Sequence, residues 1–199
     1  MTLEPIVHPA RDNPFAVHRV LRERYRLDDA GWSALLARLE AAGWRGAIVG
    51  PHGSGKTTLL EDLAVRLEVR GWTARWVRLS TEDRQVSRGS LVGLAARDVV
   101  LVDGAEQLGW VRWRLLRWRA RRAAGLIITT HRAGRLPTLL RCRTSPDLLR
   151  SLVAALGVTL TPAAAASLHA RHRGNLREAL RELYDAHAAR GLTSSAAGV

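Results

Sequence analysis

The sequence is poor in several residue types, and each shortage excludes a class of protein. Cys142 is the only cysteine among 199 residues, which excludes a disulfide framework and a cysteine-ligated zinc site. No apolar run approaches the ~18 residues that a transmembrane helix requires. The first residues also lack the charged-then-apolar pattern of a secretion signal. We therefore expect a cytoplasmic protein that does not act in a membrane.

Lysine is almost absent, and the single exception is informative. Lys56 is the only lysine, and it lies in Gly50–Thr57, which matches the P-loop pattern G-x-x-x-x-G-K-[S/T]. A compact ammonium fits between the β- and γ-phosphates where a planar guanidinium fits badly. The pattern predicts nucleoside triphosphate binding by Gly50, Pro51, His52, Gly53, Ser54, Gly55, Lys56, Thr57 and Thr58.

Arginine supplies the other basic residues and gives a formal net charge of +13. Such a charge is typical of a surface that contacts nucleic acid or an acidic partner. An arginine- and alanine-rich composition that raises basic character everywhere is the alternative. Contact with nucleic acid is therefore a hypothesis at this point.

Apolar runs alternate with helical patterns along the middle of the chain, which predicts an α/β fold. The expected strands are residues 44–49, 72–79, 98–103, 126–131 and 138–144, and a short helix has room over 90–96. The P-loop follows the first strand and leads into a helix, so its amides and the helix N-terminus point at a phosphate chain. We expect a three-layer α/β/α P-loop NTPase core with a mainly parallel five-stranded sheet.

The third strand, Asp98–Asp103, contains four consecutive apolar residues and ends in an aspartate. A buried parallel strand that delivers a carboxylate to a Mg²⁺ site has this pattern, called Walker B. Asp103 is therefore the predicted metal-binding carboxylate, and its position about 50 residues after the P-loop strengthens the assignment.

Residues 108–124 form an unusual arginine- and tryptophan-rich segment of helical length. Trp110, Trp113 and Leu116 can share one side of the helix. The segment is either a basic aromatic surface for nucleic acid or a neighbouring subunit, or a helix whose tryptophans cover the sheet while its arginines reach solvent. We favour the second interpretation, because the sheet needs a covering helix.

The whole chain is expected to divide into four segments. Residues 1–43 are expected to form an N-terminal helical segment, with one helix over Pro14–Arg24 and another that starts at Asp28-Asp29. Residues 44–145 form the nucleotide-binding core, and 146–191 form three helices. The second is capped by Thr161, and the third is capped by Asn175, with Glu178 as its capping-box partner, and runs to about Arg190. Residues 192–199 are expected to be a flexible tail.

This arrangement resembles the AAA+ ATPases over about Trp44 to Arg190. Gly174-Asn175-Leu176-Arg177 is similar to the lid segment that carries the sensor-2 arginine in that family. The resemblance implies that Lys56 holds the phosphates, that Thr57 and Asp103 hold Mg²⁺, and that the C-terminal helices form a lid over ATP.

The resemblance also implies residues at the γ-phosphate side. Thr130, with Thr129 or His131 as alternatives, occupies the sensor-1 position after the fourth strand. Arg177 would face the γ-phosphate, and either Arg135 or Arg132 would be the arginine finger that reaches a neighbouring subunit.

One position departs from the AAA+ pattern. The family usually places a glutamate directly after the Walker B aspartate, whereas this chain has Gly104 there. Glu106 is the next acid, and we expect it to be the base that orients the attacking water, with Gln107 a weaker candidate. If Glu106 is not the base, hydrolysis is slow and the protein works mainly as a nucleotide-dependent switch.

Three functions follow from these patterns. The first is a Mg²⁺-dependent ATPase that couples ATP binding and hydrolysis to lid movement and to assembly with itself, a partner or DNA. The second is a nucleotide-dependent switch or scaffold with little turnover, and the third, a phosphotransferase with a small acceptor, is remote.

Overall fold

The computed structural model describes residues 13–16, 27–83, 86, 89 and 91–196 of the chain. The helix predicted over Pro14–Arg24 lies largely outside these residues. The described residues form two compact units. The first unit holds 13–16, 52–54 and 144–196, and the second holds 27–51 and 55–143, with the gaps just given.

The second unit contains a five-stranded sheet. The strands are β1 (Arg45–Val49), β2 (Thr73–Arg78), β3 (Asp98–Asp103), β4 (Gly125–Thr130) and β5 (Thr138–Arg141). Their order across the sheet is β2-β3-β4-β1-β5, and every neighbouring pair is parallel. The predicted parallel α/β sheet is thus confirmed.

Helices cover both faces of this sheet. They are α1 (Asp29–Ala41), α2 (Lys56–Val69) and α3 (Trp110–Arg119). Because side chains alternate along a strand, Val99 and Leu101 of β3 join the apolar cluster under α1 and α2. Val100 and Val102 join the cluster under α3. These two clusters produce the three-layer α/β/α arrangement.

The first unit is helical after Thr144. Its helices are α4 (Pro146–Ala155), α5 (Pro162–Arg171) and α6 (Leu176–Ala196). Ser145 and Thr161 cap α4 and α5 through their hydroxyl oxygens, and proline at the first position of each helix loses no hydrogen bond. The helices share an apolar cluster that includes Phe15, Leu149, Val153, Leu168, Leu176, Ala179 and Leu180.

Several predicted elements differ in extent. Strand β5 ends at Arg141 instead of reaching residue 144. Residues 91–97 form turns instead of a short helix. The helix expected over 108–124 begins only at Trp110, and after Arg119 it tightens into a 3₁₀ turn over Ala120–Arg122. Helix α6 continues to Ala196 instead of ending near Arg190, since a glycine inside a helix costs only ~1 kcal/mol and does not by itself end one.

Helix α3 has a buried and an exposed side. Trp113 and Leu116 are buried, as expected of a helix that covers the sheet. The prediction that Trp110 shares their side was wrong, because Trp110 is 70% exposed.

Candidate nucleotide and metal site

The P-loop connects β1 to α2, at the carboxyl edge of the sheet. Gly55 has a left-handed φ of 82° and gives the start of α2 no side-chain cap. The first amides of a helix also lack intrahelical acceptors. Lys56 is only 8% exposed. Its Nζ donates to the carbonyl oxygens of Gly50 (2.8 Å) and Pro51 (2.7 Å). The ammonium therefore lies inside the loop where phosphates are expected.

The tip of the P-loop, His52–Ser54, belongs to the first unit. Gly53 has a φ of +66°, and a Cβ there would lie 1.9 Å from Oδ1 of Asn175 and 3.0 Å from the Arg177 nitrogen. Glycine is thus required, because its backbone lies against the start of α6. Asn175 Oδ1 also accepts a hydrogen bond from the Glu178 nitrogen at 3.3 Å. Arg177 lies in the first turn of α6 and is exposed.

Asp103 ends β3 and is held between two threonines. The Thr57 hydroxyl donates to Asp103 Oδ2 at 2.9 Å, and the Thr129 hydroxyl donates to Oδ1 at 2.6 Å. A carboxylate and a hydroxyl are hard oxygen ligands of the kind that Mg²⁺ prefers. Thr57 and Asp103 could therefore hold a Mg²⁺ ion.

Gly104 occupies the position where AAA+ proteins usually have glutamate, and its backbone explains the departure. Its φ is +81°, and a Cβ would lie 2.5 Å from the Leu79 carbonyl oxygen. A side chain at this position would meet backbone that cannot move away easily. The Gly104 amide donates to the Thr129 hydroxyl at 2.8 Å, which ties the turn to β4.

Glu106 lies in a 3₁₀ turn over Ala105–Gln107. Its Oε1 lies 3.0 Å from His131 Nε2, just past β4. Its Oε2 is buried and has no hydrogen-bond partner among the described residues. Unpaired buried oxygens of this kind are costly and often mark functional groups.

Arg135 packs inside its own unit. Its Nη2 donates to the Leu108 carbonyl at 2.6 Å, and the guanidinium lies 5.2 Å from the centre of the Trp113 ring. Burial lowers the pKa of Arg135, and the nearby Glu106 carboxylate partly offsets this effect. Arg132 is exposed, and its carbonyl accepts a hydrogen bond from the Thr130 hydroxyl at 3.2 Å.

The two candidate threonines therefore differ in position. Thr129, which the sequence offered only as an alternative, contacts Asp103, whereas Thr130 contacts the following loop. Sequence reasoning missed the pairing of His131 with Glu106, although both residues stood among the candidates. It also missed the attachment of Arg135 to Leu108, for which the sequence carries no signal.

Comparison with solved structures shows the fold. RuvB of Thermotoga maritima, described as a Holliday junction branch migration motor, is 21% identical with a TM-score of 0.55, and the match covers 82% of this chain and 64% of that one. A single-residue mutant of the same RuvB matches at 21% identity and a TM-score of 0.54 over the same shares. This chain has the fold of an AAA+ P-loop ATPase.

The similarity has clear bounds. The chain spans less than two thirds of the RuvB chains, at 64% of their length. No protein-family model and no curated protein matches the sequence. None of the helices in the described part of the chain is long and apolar enough to cross a membrane.

Proposed function

We propose that this protein is a Mg²⁺-dependent ATPase of the AAA+ type. The observation that carries the proposal is the 2.9 Å hydrogen bond between the P-loop hydroxyl of Thr57 and the strand-end carboxylate of Asp103. It joins two motifs far apart in sequence into one oxygen-rich site beside Lys56. P-loop NTPases use this combination to hold Mg²⁺ and a triphosphate.

Each residue has a proposed role. The P-loop amides, from Gly50 to Thr58, and Lys56 bind the β- and γ-phosphates, and Thr57 with Asp103 would hold the metal. Bound Mg²⁺ supplies neutralisation of the charge that develops on the phosphate oxygens. Glu106 orients the attacking water and accepts its proton.

The lid and the neighbouring subunit are proposed to complete the site. Arg177, in the first turn of a capped helix, would bind the γ-phosphate. Arg132 is the better candidate for an arginine finger, because it is exposed while Arg135 packs on Trp113. We further propose a cytoplasmic protein that assembles with itself or a partner and acts on DNA, for which the net charge of +13 is the support.

The test is ATP hydrolysis and ATP binding with and without Mg²⁺. Lys56→Ala should lower kcat by about 100- to 1,000-fold, the usual loss when one preorganised donor to developing charge is removed. Asp103→Asn should abolish the Mg²⁺ dependence of ATP binding. Unchanged binding and turnover in both variants would refute the proposal.

A second candidate is a nucleotide-dependent switch with negligible turnover. It is favoured by the contact between Glu106 and His131, which occupies one oxygen of the proposed base. Glu106→Gln separates the two functions. A fall in kcat of about 100-fold with unchanged ATP affinity supports the ATPase, whereas a wild type that binds ATP and hydrolyses it no faster than the variant supports the switch.

A further inference from the structure

Helix α3 carries an apolar stripe on the side that faces away from the sheet. At 100° per residue, Val111, Leu115 and Trp118 lie within an arc of about 60°, opposite Trp113 and Leu116. Their exposed fractions are 69%, 45% and 63%. Exposed apolar side chains grouped in this way, unlike scattered ones, mark an interaction surface.

Trp110 lies beyond Arg114 at the start of the helix, and the depression beside it also reaches Val111 of the stripe. Trp110 is 70% exposed and its ring lies under the Arg114 guanidinium, 5.0 Å from ring centre to Cζ. An open depression of about 370 Å³ adjoins it, lined by Gln107, Gly109, Trp110, Val111 and Arg112.

Arginines border the stripe on both sides. The helical spacing places Arg114 along one border and Arg112 and Arg119 along the other. No aspartate or glutamate occurs between Glu106 and Asp147, so the local sequence supplies no neutralising charge.

The positive charges of this segment affect the nearby Arg45 side chain. The pKa of Arg45 is lowered, first by burial and then by the charges of Arg117 and Arg121. A docked anionic partner would relieve this repulsion.

We propose that the outer face of α3 (Val111, Arg114, Leu115, Trp118 and their bordering arginines) binds an acidic amphipathic helix of a partner protein. An apolar stripe with cations on both borders matches a helix whose apolar stripe has carboxylates on both borders. This inference does not depend on the proposed ATPase activity.

Two other occupants fit less well. Nucleic acid would use the arginines and tryptophans, but Val111 and Leu115 have neither a ring for stacking on bases nor a group that hydrogen-bonds with them. A second copy docking through the same face would bring two rows of arginines together, and like charges at an interface are repulsive.

The experiment measures binding of the full chain to a labelled synthetic helix of three heptads, with leucine in the stripe and glutamate at the borders. A control peptide has the same composition with the leucines scattered. We expect the amphipathic peptide to bind at least about tenfold more tightly than the control, and Leu115→Ser with Trp118→Ala to remove that advantage. Val69→Ser, which changes an 85% exposed valine on α2, is the matched control variant and should have no effect.

A charge exchange tests the borders. Arg114→Glu with Arg119→Glu should weaken binding of the glutamate peptide by about tenfold or more, and a peptide with lysine borders should bind this variant in place of the wild type. Equal binding of the two glutamate peptides to wild type would overturn the proposal. So would a Trp118→Ala variant that keeps peptide affinity but loses affinity for a DNA oligonucleotide, since the face would then serve nucleic acid.

Discussion

Two parts of the proposed site are built differently: the proposed metal half (Thr57, Asp103 and Thr129) and the proposed water half (Glu106 and His131). Asp103 has both carboxylate oxygens hydrogen-bonded, to Thr57 and Thr129. Glu106 has one oxygen beside His131 and a second that is buried without a hydrogen-bond partner among the described residues. A fully bonded carboxylate is held in one orientation, whereas a half-bonded one can change partner at little cost.

This difference assigns different roles to the two parts of the site. The metal half is preorganised, so its removal should affect nucleotide binding as well as rate. The water half retains a free oxygen for a reacting group, so its perturbation should affect rate alone.

Thr129→Val should raise the Mg²⁺ concentration needed for half-maximal ATP binding by about 10- to 100-fold, the usual cost of losing a residue that orients a metal ligand. Thr130→Val is the matched control, because it removes the same hydroxyl from a residue that contacts the Arg132 carbonyl instead of Asp103. A Mg²⁺ titration monitored with a fluorescent ATP analogue measures both. Equal effects of the two substitutions would show that Thr129 does not support the carboxylate.

Gly104→Ala should lower the free energy of unfolding by about 2 kcal/mol, because a non-glycine residue in the left-handed region is strained and the new Cβ would overlap the Leu79 carbonyl. Gly93→Ala is the control, since Gly93 has a φ of +66° and an added Cβ there would meet no atom of the described residues within 4 Å. Thermal unfolding of both variants separates the contact with Leu79 from the backbone strain. If Gly104→Ala is no less stable than Gly93→Ala, the contact is not what requires glycine.

Much of the metal half was predictable because it depends on local patterns. The P-loop spacing and the apolar run before Asp103 each identify one strand and the residue at its end. The fold followed from the alternation of such strands with helices, and the comparison with RuvB confirmed it.

Which threonine contacts Asp103 depends instead on sheet register, which the sequence does not specify. Val102 pairs with Ile128, so the next residues along, Asp103 and Thr129, are neighbours. Thr130 is one position further, pairs with Val49 of β1, and its side chain points to the opposite face of the sheet.

The contacts of Glu106 depend on three-dimensional structure in the same way. A left-handed glycine and a 3₁₀ turn bring this residue towards the end of β4, and no periodic pattern encodes that path. The outer stripe of α3 was missed for a different reason. The arginines and tryptophans obscure a second apolar face on a helix that already has one against the sheet.

His131→Ala should lower kcat by about tenfold and leave the KM for ATP unchanged, because it removes the 3.0 Å contact with the Glu106 carboxylate that positions the proposed base. His131→Gln retains an N–H donor and should restore part of the rate. The control is His169→Ala, whose imidazole contacts Thr144 in the first unit instead. The switch hypothesis requires that His131 hold Glu106 away from the water, and in that case His131→Ala would raise kcat. The sign of the change in steady-state ATP hydrolysis therefore decides which role the contact has.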